Sequence, residues 1–166
     1  AVGDLDALLK APESVTGQYL SGRRHIEIPR RRQPFKKGHW ATFNSSHGLP
    51  SNEIRKFWYD AKDGSLWIAT MGGVSRFDGK EFTNLTTDEG LLDDGVFNLW
   101  RAEQSGVWWF CTARGVSRYD PAAKEGRKAF RNYTAQDGRA AGQIHGATQT
   151  SDGQMWFGAN SGGLSR

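Results

Sequence analysis

After Trp40 the chain states one pattern three times. Leu66-Trp67-Ile68-Ala69-Thr70, followed by Gly73-Val74-Ser75-Arg76-Phe77-Asp78, returns as Trp108-Trp109-Phe110-Cys111-Thr112 followed by Gly115-Val116-Ser117-Arg118-Tyr119-Asp120. It begins again as Met155-Trp156-Phe157-Gly158-Ala159 followed by Gly163-Leu164-Ser165-Arg166. Trp67 and Trp109 are 42 residues apart, and Trp109 and Trp156 are 47 apart. A period of this size, made of strand-like runs and Gly-rich turns, points to a propeller or solenoid in which each unit covers its apolar face with the next.

Composition agrees with many short strands. Glycine (21 residues) and tryptophan (7) are abundant for a chain of 166. Glycine reaches positive φ without steric cost, and aromatics fit a pleated, half-buried surface. No run approaches the roughly 18 uninterrupted apolar residues of a membrane span. Residues 1–39 carry 8 Lys/Arg against 4 Asp/Glu, whereas residues 40–166 carry 14 of each, so the basic character belongs to the N-terminal segment alone. A single cysteine excludes an internal disulfide. The chain opens at Ala1 and stops at Arg166, where the two earlier copies continue into Phe77-Asp78 and Tyr119-Asp120; it reads as a segment of a longer protein.

Each copy divides into four strands. In the first these are Ile54–Asp60, Ser65–Thr70, Val74–Asp78 and Glu81–Thr86, separated by Asp63-Gly64, Met71-Gly72-Gly73 and Asp78-Gly79. Four short antiparallel strands closed by tight turns make one propeller blade. The expected fold is all-β, a partial β-propeller of about three four-stranded blades near 40–81, 82–129 and 130–166. A short helical and extended basic segment over 1–39 precedes it. Three blades leave exposed edges, so the region should pair with further blades or with a second copy of the chain, and residues 40–166 alone should self-associate.

The pattern resembles the two-component regulator propeller repeat. The resemblance runs through Phe43, His47-Gly48-Leu49-Pro50-Ser51-Asn52-Glu53-Ile54, Asp63-Gly64-Ser65-Leu66-Trp67-Ile68-Ala69-Thr70 and Gly72-Gly73-Val74-Ser75-Arg76-Phe77-Asp78, and recurs over about 125 residues. Ala69 and Cys111 depart from its usual glycine, and Arg139 from its usual leucine. It implies a large extracytoplasmic sensor region of a hybrid histidine kinase, a class in which many members are linked to glycan sensing.

Within the repeat, Trp67, Trp109 and Trp156 are expected to pack against the neighbouring blade. Gly73, Gly115 and Gly163 define the same turn in each copy. Trp108 lies outside the tryptophan register; simple packing or partial exposure is its expected reading, with stacking on a carbohydrate as the alternative. Cys111 fills a slot taken by Ala69 and Gly158 and reads as a small core residue. The repeated Ser-Arg pairs read as solvated strand positions, because chemistry needs a unique constellation. Asp88-Glu89 and Asp93-Asp94 do not match a Ca²⁺ loop, and His25, His39, His47 and His145 lack metal-ligand spacing. No catalytic, cofactor or metal residue is therefore assigned. A protein or glycan ligand is expected on the blade loops Ser45–Glu53, Thr87–Gly95 and Gln136–Gln143.

Residues 3–34 do not repeat. Leu5-Asp6-Ala7-Leu8-Leu9-Lys10 reads as a short helix ended by Pro12. Ser14-Val15-Thr16-Gly17-Gln18-Tyr19-Leu20-Ser21-Gly22, then Ile26-Glu27-Ile28-Pro29 and a run of arginines, resembles the DNA-damage-recognising ATPase of the bacterial UvrABC excinuclease. The resemblance implies the linker between its two nucleotide-binding domains. The ATP-binding motifs of that family lie outside this sequence, so ATP would belong only to the parent protein. Arg30, Arg31, Arg32, Lys36 and Lys37 could contact DNA phosphate or a partner, against a plain solvated linker.

Two functions follow. The leading one is a non-catalytic sensor or interaction propeller of a larger two-component regulator, extracytoplasmic. The alternative is part of an excinuclease-like repair ATPase with an appended propeller, cytoplasmic.

Overall fold

Turns carrying Asp63-Gly64, Asp78-Gly79 and Asp152-Gly153 separate neighbouring strands. The computed structural model describes residues 40–123, 129–138 and 142–166. The strands are β1 (Ile54–Asp60), β2 (Ser65–Thr70), β3 (Gly73–Phe77), β4 (Phe82–Leu85), β5 (Val96–Arg101), β6 (Trp108–Thr112), β7 (Val116–Tyr119), β8 (Phe130–Tyr133), β9 (Ile144–Gln149), β10 (Met155–Ala159) and β11 (Gly163–Ser165). They form three antiparallel sheets: β1-β2-β3-β4, β5-β6-β7-β8 and β9-β10-β11. The sheets begin at Ile54, Val96 and Ile144, and β4 is hydrogen-bonded to β3. Hydrogen bonding therefore keeps Phe82–Leu85 with the first sheet, as the fourth strand expected of the first copy, so that sheet runs past residue 81.

Turn chemistry sets the register. Gly64, Gly106 and Gly153 take φ of +73°, +73° and +84° in the first hairpin of each sheet. In the second hairpin, the hydroxyls of Thr70 and Thr112 donate to the carbonyls of Gly73 and Gly115, both at 2.9 Å. A Cβ on Gly73 would lie 2.6 Å from the Leu85 carbonyl oxygen, and one on Gly115 would lie 2.2 Å from that of Tyr133. Glycine is required there because the neighbouring strand's backbone passes too close for any side chain.

The core lies between sheets. Trp67, Ala69 and Val74 of the first sheet pack on Leu99, Trp108 and Phe110 of the second, with Leu91 and Val96 beside them. The Trp67 and Trp108 rings stack at 4.3 Å and 29°. Cys111 and Val116 of the second sheet pack on Ile144 and Phe157 of the third. Trp109 approaches Phe157 at 5.3 Å. At the first interface Arg101 Nε lies 3.2 Å from Asp60 Oδ2, an ion pair without hydrogen-bond alignment, and the guanidinium carbon sits 5.8 Å over the Trp108 ring. The first strands β1, β5 and β9 approach one another in turn, so the sheets fan out from that side.

Trp108 is buried at the centre of the first interface, the simple packing expected of it and not sugar stacking. One reading changes. Ser75 and Ser117 are fully buried, not solvated. Ser75 Oγ donates to Asn84 Oδ1 at 2.7 Å, and Ser117 Oγ accepts from the Leu92 amide at 3.0 Å. The counterpart of Leu92 in the first copy is Pro50, which has no N–H to give. The serines are buried because the loop entering each sheet lies over them.

Trp108→Ala should remove about 3–5 kcal/mol of unfolding free energy, the range for deleting a large buried aromatic. Lys80→Ala, in an exposed turn, should stay within about 0.5 kcal/mol. Urea unfolding of both variants beside the parent checks the contrast.

Candidate functional site

Each sheet is entered by a loop built on one capped turn. Asn44 caps Ser45–His47 and Thr134 caps Ala135–Asp137, each with the reciprocal bond from the third residue. Thr86 and Glu89 make the same pair in the middle copy: the Thr86 amide and hydroxyl donate to Glu89 Oε2 at 2.8 and 2.7 Å. This pair holds the Glu89 carboxyl below its usual range, first through the Thr86 hydroxyl and then through its amide. The loops are also tied to their own sheets. Asn84 Nδ2 donates to the Gly48 carbonyl at 2.8 Å, and Asn132 Nδ2 to that of Gly90 at 3.1 Å.

The capped half of each of the first two loops thus lies on the last strand of its sheet, and Phe43 contacts Phe77 of β3 and Phe82 of β4. Only the far end of the loop reaches the end of the sheet where β2 turns into β3. There the amides of Met71, Ala113 and Asn160 donate to the carbonyls of Glu53, Gly95 and Gln143, at 3.1, 2.9 and 3.0 Å. The sequence reading that places the whole loops at one end is correct for these last residues only.

At that end stands the arrangement best suited to a ligand. The second residue of each first strand is Arg55, Phe97 or His145, and the three side chains form a ladder. The Arg55 guanidinium carbon lies 5.7 Å from the Phe97 ring centre, and Phe97 stacks on the His145 imidazole at 4.3 Å and 17°. Arg55 is paired with Glu53 at 2.6 Å. His145 Nε2 lies 3.4 Å from Gln143 Oε1, and the His145 carbonyl accepts from Asn98 Nδ2 at 2.8 Å. Arg55 and His145 are exposed and Phe97 is half-buried. With Phe97 between them, the Arg55 guanidinium and the His145 imidazole at the ends of the ladder can stack on a planar or ring-shaped group and hydrogen-bond its rim. Sequence reasoning passed over these residues because it sought sameness. The signal was the opposite: at this repeat position the residue type changes each time within a constant frame.

The sequence-assigned residues are placed as follows. Trp67 is buried, while Trp109 and Trp156 are half-buried on the same face of their sheets. Gly73 and Gly163 take positive φ, +126° and +82°, and Gly115 abuts backbone. Arg30, Arg31, Arg32, Lys36 and Lys37, with the Leu5–Lys10 helix, lie outside the described residues. The acidic loop is consumed by its own backbone: Asp93 accepts from the Gly95 amide and Asp94 from the Thr87 amide, both at 2.8 Å. Among the described residues no group of three His, Cys, Asp or Glu is placed to hold a metal ion. Cys111 is buried, and burial pushes its thiol up to about 12. Two interblade cavities lie away from the ladder. One of about 270 Å³ is bounded by Trp67, Trp108 and Tyr119, and one of about 480 Å³ by Trp109, Tyr133 and Phe157.

No family model matches the chain. Over 34 residues it is 62% identical to UvrABC system protein A of Xylella fastidiosa strain Temecula1, a match covering 20% of this chain and 4% of that protein. The match to UvrABC system protein A of Escherichia coli K12 is 56% over 34 residues, with the same coverage. The chain thus spans a small fraction of these relatives. Among solved structures it is similar to the extracellular domain of the hybrid two-component system BT4673 from B. thetaiotaomicron, with TM-score 0.57 and 22% identity over 70% of this chain and 17% of that one. A second structure, described as the extracellular domain of the one-component system BT4673, gives TM-score 0.54 and 20% identity over 75% and 16%. These likenesses carry the fold: the three sheets are blades of a partial β-propeller.

Two outcomes are expected here. Glu89 has its folded pKa lowered, so its contribution is present above the unfolded value of about 4.3 and is lost as pH falls through the lower folded one. Melting temperatures between neutral pH and pH 3 should therefore drop more for the parent than for Glu89→Gln. Cys111, held protonated, should resist alkylation at pH 8 in the native protein and react on adding denaturant; a thiol assay reads both states.

Proposed function

We propose that residues 40–166 form a non-catalytic sensor or interaction module, a stretch of propeller belonging to a larger regulator of two-component type. The observation that carries this is the ladder Arg55–Phe97–His145 at the loop-end of three consecutive blades. A frame repeated three times presents a different side chain from each repeat at one place, and that is how a scaffold builds a recognition surface. The likeness to an extracellular domain of a two-component system supports the sensor reading and an extracytoplasmic location. The ligand class is a glycan or a protein segment, met by the ladder and the adjoining ends of the loops. The proposal assigns no cofactor to these residues and divides the chain into a basic segment, 1–39, and the propeller, 40–166.

The match to UvrABC system protein A favours a second reading, in which an excinuclease-like repair ATPase carries the propeller as an appended module in the cytoplasm. Under it, Arg30, Arg31, Arg32, Lys36 and Lys37 touch DNA phosphate.

One pair of measurements separates the two. The full chain is titrated against an oligosaccharide panel and, separately, against duplex DNA at several salt concentrations. The sensor reading expects panel binding weakened at least about tenfold, or 1.4 kcal/mol, by Phe97→Ala or His145→Ala. The repair reading expects salt-dependent DNA binding that disappears when the five basic residues become alanine. Panel binding indifferent to both ladder variants would sink the proposed site.

A further inference from the structure

Two ion pairs converge on the cavity between the first and second sheets. Asp60 and Arg101, the last residues of β1 and β5, lie 3.2 Å apart, and Asp63 of the first hairpin meets Arg76 of β3 at 3.0 Å. All four line the space of about 270 Å³ that Trp67, Trp108 and Tyr119 bound. The Asp60 and Arg101 side chains are 7% and 16% exposed, so this pair is held largely out of water.

Blade packing does not call for these charges. In the next copy Asp60 and Asp63 are replaced by Ala102 and Ser105, and Arg101 by Gln149; of the four only Arg76 returns charged, as Arg118. The second and third sheets therefore make the corresponding contact with an alanine and a glutamine where the first and second have an acid and a guanidinium. A buried ion pair loses its hydration and adds little to stability over apolar groups of the same size. Arg101 Nε is also buried without a hydrogen bond, which leaves it as a donor for a ligand.

The chemistry of the set narrows the ligand. Two carboxylates and two guanidiniums carry no net charge, so an ion gains no net attraction from them. A hydroxyl both donates and accepts, and a ring bearing several hydroxyls matches acids and guanidiniums together. Asp60 has capacity to spare: Oδ1 accepts from the Lys62 amide, and Oδ2 faces Arg101 without alignment. Burial pushes the Tyr119 hydroxyl above its usual range, so it remains a donor at neutral pH. The aromatic boundary suits the C–H surface of such a ring. The volume lies just below the range of about 300–1,000 Å³ for small-molecule pockets, which limits the ligand to about one ring.

We propose that this cavity binds one neutral polyhydroxylated ring of monosaccharide size, its hydroxyls shared between the carboxylates of Asp60 and Asp63 and the guanidiniums of Arg76 and Arg101. The ladder stands at the start of β1 and β5 and the cavity at their ends. The two sites are separate, and this one does not depend on what the ladder takes.

The test titrates glucose, galactose and mannose, with glucuronate and glucosamine as charged relatives, into the full chain while the tryptophan indole N–H signals are followed by NMR. Trp67 Nε1 donates to Ser65 Oγ, which donates to Asp63, so the Trp67 signal reads the site. At least one neutral sugar should shift that signal saturably, and the charged relatives should bind more weakly. Asp60→Ala combined with Arg101→Gln installs the residues of the second interface and buries no lone charge. This variant should keep its fold by circular dichroism and weaken binding at least about tenfold, as loss of a hydrogen bond to a charged group does. Asp63→Ser, the residue of the second copy in an exposed turn, carries the same expectation should the double variant fail to fold. The proposal is overturned if no neutral sugar moves the Trp67 signal, if a charged relative binds more tightly, or if folded variants bind as the parent does. Binding that Phe97→Ala abolishes and the double variant keeps would belong to the ladder and overturn it as well.

Discussion

The face-to-face contact between successive sheets is the interaction on which everything else in this molecule depends. A four-stranded antiparallel sheet of such short strands has too little interior of its own, and its larger side chains can leave water only against another sheet. Trp67 lies on Trp108, and Cys111 and Val116 lie on Ile144 and Phe157. Stacking adds about 0.5–1.5 kcal/mol to what burial of the rings contributes. The hairpin glycines, the buried threonine hydroxyls and the capped loops all serve to present one flat apolar face to the next at a fixed angle.

The loops show how that demand and the variable side chains at the loop-end are kept apart. Their capped halves lie on the sheet and are tied by Asn84 and Asn132, so they belong to the packing. Their far ends are tied to the sheets by backbone bonds from Met71, Ala113 and Asn160, and within the loops by side chains such as Asn52, Asp93 and Asp94. Side chains just beyond those bonds are free to differ between copies, and Arg55, Phe97 and His145 do. The ladder is thus a by-product of regular backbone geometry: fixed spacing between first strands brings three unrelated side chains into van der Waals reach of one another.

The fold was legible because periodicity reports burial at repeated distances. β1, β2 and the turn glycines were readable to the residue, since alternation and positive-φ chemistry are local. What was missed depends on contacts remote in sequence. Trp108 seemed out of register because only its neighbour Trp109 shares the indole of Trp67; three-dimensional stacking joins position 67 of one sheet to position 108 of the next. Ser75 seemed a surface residue because a serine beside an arginine usually is one, and only the overlying loop buries it. The ladder was invisible to any search for repetition. The segment similar to UvrABC system protein A was legible by wording alone.

The interfaces are also unequal, and the inequality has a direction. Between the first and second sheets the contact residues include Trp58, Trp67, Leu99 and Trp108, with an ion pair at the rim. Between the second and third, Leu99 gives way to Ala147 and Trp108 to Met155. Smaller side chains bury less apolar surface and make fewer dispersion contacts. The second interface therefore rests on smaller contact residues than the first. His145, which completes the ladder, stands on the far side of that interface from Phe97. A ligand bridging Phe97 and His145, as proposed above, would tie together the two sheets joined by the smaller contact residues.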